Sequence, residues 1–259
     1  MILALLQARV SSTRLPGKVL MPILGKPILL LEIERIQRSH AIDKLIVATS
    51  TGKEDDGIVE MCSNAGVECF RGSLNDVLDR CYQAALPYKP DHVMRLTGDC
   101  PLIDPEVIDA TIDFYLQGAY DYVSNALASE ETFPDGLDTE IFSRAALTTA
   151  WQEAVLPSHR EHVTQFIIKN PERFRLGYYK SFEDLSHLRW TVDEPEDFEL
   201  IKKIYEKLYP NYPAFVMKDV LHLLDKQPEL LEINSQIARN AGLKKALQAD
   251  KTFLKKTGI

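Results

Sequence analysis

Leu3-Ala4-Leu5-Leu6-Gln7-Ala8-Arg9-Val10-Ser11-Ser12-Thr13-Arg14-Leu15-Pro16-Gly17-Lys18 begins apolar and turns abruptly polar. The apolar run is too short to span a membrane and suits a buried strand. After Gln7 come three cations, three hydroxyls, one proline and one glycine within a dozen residues. No Asp or Glu stands between Met1 and Leu31, although acids outnumber bases by 38 to 30 in the whole chain. A strand feeding a loop of cations and small residues is how α/β proteins receive phosphate groups. The loop is therefore expected to hold a nucleoside triphosphate, against the plainer reading of a surface turn punctuated by Pro-Gly. It is not a Walker loop: Ser12 stands where that motif needs its first glycine, and Val19 follows Lys18 in place of Ser or Thr. A G-x-G-x-x-G pattern is also missing here, which argues against a dinucleotide dehydrogenase.

Working outward, 259 residues allow one large α/β domain or a domain with an appendage. A net charge of −8 speaks against nucleic acid as the main partner, so an anion has to be captured by a local basic pocket. No stretch approaches the about 20 apolar residues of a membrane span, and the opening run lacks the flank and cleavage site of a signal peptide. Cys62, Cys69, Cys81 and Cys100 show no C-x-x-C spacing, so neither a zinc knuckle nor a disulfide scaffold is indicated. A reduced, cytoplasmic protein is expected.

Hydrophobic spacing predicts helices over Pro27–Arg38, Asp55–Ala65 and Leu74–Leu86, alternating with strands at Lys44–Thr49, Val67–Phe70 and His92–Thr97. Asp104-Pro105 gives an N-cap and a proline at the first helical position, opening a helix towards Gln117. Strand and helix in alternation imply a parallel sheet covered on both faces, with ligands beyond the carboxyl ends of its strands. The second half is less regular. Strands are expected at Tyr122–Asn125, Phe174–Tyr179 and Leu188–Val192, with helices at Ser143–Ala154 and Pro195–Leu208. Ser158 with Glu161 reads as a capping box before a helix over Val163–Lys169. Beyond Tyr209 the composition becomes helical and Leu/Lys-rich, so a boundary is placed there.

Triphosphate chemistry calls for a divalent cation, and Mg²⁺ takes hard oxygen ligands, with one or two carboxylates completed by phosphate and water. Thr97-Gly98-Asp99-Cys100-Pro101 sits where a strand ends at the expected crevice, and Thr191-Val192-Asp193 delivers a second acid before a Pro-started helix. Each acid alone has a structural reading, Asp99 as a turn cap and Asp193 as a residue leading into a helix. Two such acids facing one basic loop favour the metal.

The loop Gln7–Lys18 resembles the signature of the CMP-sugar synthetases, the cytidylyltransferases of 3-deoxy-manno-octulosonate and acylneuraminate, and most nearly their relatives of spore-coat polysaccharide biosynthesis. Further matches are Val47-Ala48-Thr49-Ser50, Phe70-Arg71-Gly72-Ser73, Arg95–Leu102, Gly136–Glu140, Arg160–Thr164 and Thr191-Val192-Asp193. The resemblance implies a Rossmann-like nucleotide-diphospho-sugar transferase fold. That fold is an α/β three-layer sandwich on a mainly parallel, mixed sheet, with a catalytic domain over 1–208 and a helical extension over 209–259. It implies CTP as donor substrate, Mg²⁺ as cofactor, a small anionic acceptor and a homodimer. Arg14 and Lys18 match triphosphate-binding cations, and the backbone around Gln7 and Ala8, with Arg71, matches base-selecting positions. Arg9 and Ser50 fall among the nucleotide-contacting motifs, and Asp99 and Asp193 match the metal carboxylates. Gln7 stands where the octulosonate enzymes have proline, and Thr97 where they have glutamine, so that sugar acid is not the expected acceptor.

Asp138, Glu140, Arg160 and His162 are candidates for the acceptor pocket, Arg160 and His162 because they suit a carboxylate or phosphate. Both equally suit the exposed first turn of a helix, and Glu161 is assigned first to its cap. Two other readings remain at this level: a nucleotidyltransferase using another base or a sugar-phosphate acceptor, and a non-catalytic nucleotide binder on the same fold.

Overall fold

In a computed structural model, which describes residues 1–127, 130–237 and 250–255, the opening apolar run becomes the strand β1 (Ile2–Gln7) near the middle of the main sheet. Its alternating side chains feed two different cores. Ala4 and Leu6 join a cluster with Leu29, Ile33 and Ile112, whereas Leu3 and Leu5 join one with Leu78, Cys81 and Phe142. A strand apolar on both faces is what a central position between two helical layers demands.

The hairpin of β2 (Pro22–Ile23) and β3 (Lys26–Pro27) leads into α1 (Ile28–Ile36). Next come β4 (Lys44–Ser50), α2 (Asp56–Asn64), β5 (Glu68–Gly72), α3 (Val77–Ala85), β6 (His92–Thr97) and α4 (Pro105–Gly118). Asp104 caps α4 as its sequence predicts, accepting the Glu106 N–H at 2.8 Å. The second half supplies β7 (Tyr122–Ser124), β8 (Glu140–Ser143), α5 (Arg144–Glu153), α6 (Pro157–Glu161) and α7 (Gln165–Ile168). It continues with β9 (Leu176–Tyr178), α8 (Pro195–Leu208) and α9 (Met217–Lys226).

The strand order β5-β4-β1-β6-β8-β7-β9 makes a seven-stranded sheet. Only β8 runs against its neighbours β6 and β7, so the sheet is mixed but mainly parallel. The described residues between β7 and β8 include no crossover helix, which accords with the reversal of direction there. Helices α1, α2 and α4 cover one face, and α3, α5 and α7 the other. A third apolar cluster joins α8 and α9 to Ile23, Ile28 and Trp190, so residues beyond Tyr209 share a core with the sheet domain. No helix among the described residues is long and apolar enough to cross a membrane.

Three sequence expectations are corrected. Leu188–Val192 is not a strand; it makes one isolated bridge, Asp135 with Arg189. The segment is held between two loops, with Trp190 N–H on the Asp135 carbonyl at 2.6 Å and Val192 N–H on the Asp99 carbonyl at 2.8 Å. Nor do Ser158 and Glu161 form a capping box. They lie within α6, whose N-cap is Leu156, and the Ser158 backbone and hydroxyl both donate to Asp250, at 2.9 and 2.5 Å. The helix expected over Val163–Lys169 shrinks to the single turn α7.

Candidate active site

In the order β5-β4-β1-β6, the chain changes direction across the sheet between β1 and β6, and a crevice opens at such a point beyond the carboxyl ends of the strands. Gln7 and Thr97 end the two strands opposite each other. Gly98 then tucks its N–H onto the Gln7 carbonyl at 2.8 Å. A Cβ at this position would lie 2.9 Å from both Ala8 Cβ and Leu29 Cδ1, so only glycine lets the two loops meet. Behind β1, the buried Asp55 carboxylate accepts the N–H groups of Val10 at 2.7 Å and Ser50 at 3.1 Å, tying the basic loop to β4. Gly17, at φ +75°, closes the loop with its N–H on the Val10 carbonyl.

The result is a cavity of about 700 Å³ lined by the basic loop, the strand ends and residues of α3 and α6. Lys18 is buried within it, and its Nζ donates to Asp99 Oδ2 at 2.7 Å and Asp193 Oδ1 at 2.8 Å. Burial alone would lower the Lys18 pKa; the two carboxylates outweigh it and hold the ammonium above its ordinary value. Burial would likewise raise Asp193, but Lys18, Arg14 and Arg189 pull its pKa below the usual carboxylate value. Arg14 completes this corner with contacts of 2.8 Å to Asp193 and 3.3 Å to Glu194. Arg189 braces Asp193 from behind at 3.2 Å and is itself held by Asp135 and Asp197. Asn234 donates to the Arg189 carbonyl at 3.0 Å and to Asp197 Oδ1 at 2.8 Å, closing the brace from the C-terminal segment.

Behind Asp99, Glu32 of α1 accepts the Cys100 N–H at 3.2 Å. Its other oxygen is buried with no hydrogen-bond partner among the described residues. Burial, then the charge on Asp99, push the Glu32 carboxyl well above its ordinary pKa.

Of the residues singled out from sequence, Gln7, Ala8, Arg9, Arg14, Lys18, Asp99, Asp193 and His162 line this one cavity. Ser50 and Arg71 do not line it. The Arg71 guanidinium is taken up by the Ser50 carbonyl at 2.9 Å, the Gly52 carbonyl at 2.7 Å and Asp56 at 2.7 Å. Arg160 also sits outside, clamping α6 to the cap of α3 through Asp76 at 3.0 Å and to the Trp151 carbonyl at 2.8 Å. Asp138 is half-buried in the loop before β8 and accepts the Gly136 N–H at 3.4 Å. Glu140 lies beneath the floor, paired with Arg95 and accepting the Tyr122 and Thr164 hydroxyls, each at 2.6 Å. Glu161, assigned to a helix cap by its spacing, lines the cavity instead.

The sequence reading passed over Arg80 and Arg95, both of which line the cavity. Arg80 is 2% exposed, donates to the Ser73 carbonyl at 2.8 Å and has no ion-pair partner among the described residues; its Nε is buried without an acceptor. Burial lowers its pKa. A buried guanidinium without an anion is costly, so its place beside a cavity marks where an anionic ligand fits. A β-branched Val163 at φ +49° follows His162, a strained backbone next to the site. His162 Nε2 is buried with no hydrogen-bond partner among the described residues, and burial followed by the Arg95 charge holds its imidazole below the usual pKa.

Known proteins resemble this chain over most of its length. The cytidylyltransferase family profile matches residues 3–236. The spore coat polysaccharide biosynthesis protein SpsF of Bacillus subtilis is 34% identical over 237 residues, covering 88% of this chain and 95% of its own. The structure of a cytidylyltransferase from Leptospira borgpetersenii superposes with a TM-score of 0.84 at 34% identity, over 92% of this chain and 98% of that one. A CMP:2-keto-3-deoxy-manno-octonic acid synthetase complexed with CTP shares the fold at a TM-score of 0.59 and 17% identity, covering 80% of this chain and 98% of that one.

Proposed function

The chain belongs to the cytidylyltransferase family, and from that premise we propose that it is an Mg²⁺-dependent enzyme moving CMP from CTP to a small anionic acceptor. The acceptor is a sugar acid or a related acidic metabolite, phosphorylated or not, for surface glycan assembly, and pyrophosphate is released. The observation that carries this reading is the convergence of Lys18 and Arg14 with Asp99 and Asp193 in one cavity at the sheet's crossover point.

Asp99 and Asp193 already meet on one cation, the Lys18 ammonium, so their oxygens fit a metal that takes one or two carboxylates and completes its shell with phosphate and water. Bound there, Mg²⁺ supplies charge neutralisation at the phosphates and orientation of the attacking oxygen. Lys18 and Arg14 then have the triphosphate as their anion, and they stabilise the charge that builds on pyrophosphate as the acceptor oxygen attacks the α-phosphorus in line. No covalent enzyme intermediate is needed. Arg80 and Arg9 are cations without carboxylate partners among the described residues, and they supply the remaining positive wall for phosphate or the acceptor's acid group. His162, neutral at pH 7, offers a ring nitrogen for hydrogen bonding without adding charge.

Pyrophosphate release with CTP and Mg²⁺ across a panel of nonulosonic, octulosonic and phosphorylated acids tests the reading. Thermal shift with CTP, UTP, GTP and ATP tests the donor. Absence of any CTP-dependent shift in the presence of Mg²⁺ would sink it.

A further inference from the structure

α6 is barely more than one turn, and a helix that short does not hold itself together in water. Its N-cap, Leu156, has no side-chain acceptor to offer, and Pro157 has no N–H. The Ser158 N–H is therefore the first donor of the helix without a local acceptor. Asp250 supplies one from far along the chain, its carboxylate taking that N–H at 2.9 Å and the Ser158 hydroxyl at 2.5 Å. Ser158 is 1% exposed and Asp250 7%, so both bonds lie away from water. A charged acceptor makes them strong, and its loss would leave two buried donors unsatisfied.

The other end of α6 belongs to the cavity, which Glu161 and His162 line. Val163 follows at φ +49°, a conformation that a β-branched residue keeps only where its surroundings impose it. Next to it the Thr164 hydroxyl is bound to Glu140 at 2.6 Å, and on the α3 side Arg160 is bound to Asp76 at 3.0 Å. Asp250, Asp76 and Glu140 thus pin this stretch from three separate parts of the chain. Of the three, Asp250 alone lies beyond Tyr209, the region from which Asn234 also braces Asp193.

We propose that Asp250 is a positioning residue for the transfer reaction: by capping α6 through Ser158, it sets His162 and Glu161 against the cavity. This role rests on the transfer reading given above. Without the Asp250 pin, α6 is free to shift, the strain at Val163 has a way to relax, and His162 moves with the chain. The phosphate corner is held by other contacts, the ion pairs of Lys18, Arg14 and Arg189 with Asp99 and Asp193, and keeps its geometry.

The test compares wild type, Asp250→Ala and Ser158→Ala by NMR titration of the His162 imidazole, assigned with His162→Gln, and by pyrophosphate release from CTP and Mg²⁺ across the acceptor panel. Burial is the largest influence holding that imidazole below 6.5, and the charged groups acting on it, Arg95, Glu161, Glu140 and Arg9, are kept in every variant compared. In Asp250→Ala the His162 pKa is expected to rise towards 6.5 as burial is lost. Removing a negative charge without any movement would lower it instead, so the direction separates repositioning from a field effect. The kcat/KM for the acceptor is expected to fall by about tenfold or more, as a misplaced site residue predicts. Mn²⁺ affinity without nucleotide should stay within about twofold of wild type, the metal acids being distant from the change. Ser158→Ala keeps the Asp250 charge, loses one of the two bonds and should move both readouts the same way by less. A His162 titration unchanged in Asp250→Ala overturns the proposal whatever happens to turnover, and so does a raised pKa with undiminished transfer. If Asp250→Ala does not fold, Ser158→Ala decides: a raised His162 pKa with slower transfer supports the proposal, and an unchanged titration overturns it. Wild type that moves nothing from CTP to any acceptor overturns the transfer reading and this role with it, while the titration still shows whether Asp250 sets the place of the ring.

Discussion

The Lys18 ammonium sits between Asp99 and Asp193, 2.7 Å from one and 2.8 Å from the other, although the acids are separated by more than a third of the chain. One cation thus holds the two loops together before any ligand arrives. A metal that binds the same oxygens has to displace it, and the lysine then needs an anion of its own. Mg²⁺ and the triphosphate are therefore expected to bind together more tightly than either alone.

Replacing Lys18 with Met should separate those effects. Transfer is expected to fall by about two orders of magnitude or more, the scale for losing one preorganised charge-stabilising donor. Mn²⁺ binding without nucleotide should strengthen by about tenfold, because the competing cation is gone while both acids remain. Paramagnetic titration reads the second effect independently of turnover. Unchanged Mn²⁺ affinity would rule out the exchange.

Asp99→Asn keeps the size of the side chain and removes its charge. Pyrophosphate release is expected to drop by about a hundredfold or more, with the melting temperature moving by only a few degrees. Transfer close to that of wild type would show that Asp99 holds no metal.

Arg80→Met removes a buried guanidinium that has no carboxylate partner among the described residues. Folding stability should stay level or rise, by up to about 1 kcal/mol, while CTP or acceptor affinity weakens by about tenfold or more. Chemical denaturation and titration calorimetry measure the two. A large loss of stability with unaltered binding would make Arg80 a structural residue.

Glu32→Gln probes a buried carboxyl whose pKa lies well above the ordinary 4.5, raised first by burial and then by Asp99. A raised folded-state pKa gives stability that is complete below 4.5 and is lost as pH climbs through the higher value. The variant escapes that loss. Its stability relative to wild type is therefore expected to improve from pH 5 towards pH 8, as followed by melting temperature. A difference that does not vary with pH would mean the carboxyl does not titrate in the folded protein.

The sequence made β1, the basic loop and both acids legible for a physical reason. A strand buried on both faces needs an unbroken apolar run, and a loop that binds anions has to expose cations and small residues in a short span. Arg80 escaped notice because an arginine on paper does not reveal whether a carboxylate balances it. Arg71 looked like a ligand residue for the same reason, and its donors turn out to be spent on Ser50, Gly52 and Asp56. Ser158 and Glu161 had the spacing of a cap, but the partner of Ser158 is Asp250, 92 residues away. The strand β8 carries Glu140 and Ser143 at its ends and advertises little β propensity; its place is set by the neighbours β6 and β7.

Asn234 fixes the brace behind Asp193 from a segment translated after every strand of the sheet. On the ribosome, the phosphate loop and its sheet emerge first and the last prop of the second acid emerges later. The hydrogen bonds that brace Asp193 from behind are therefore completed only by residues made after the last strand of the sheet.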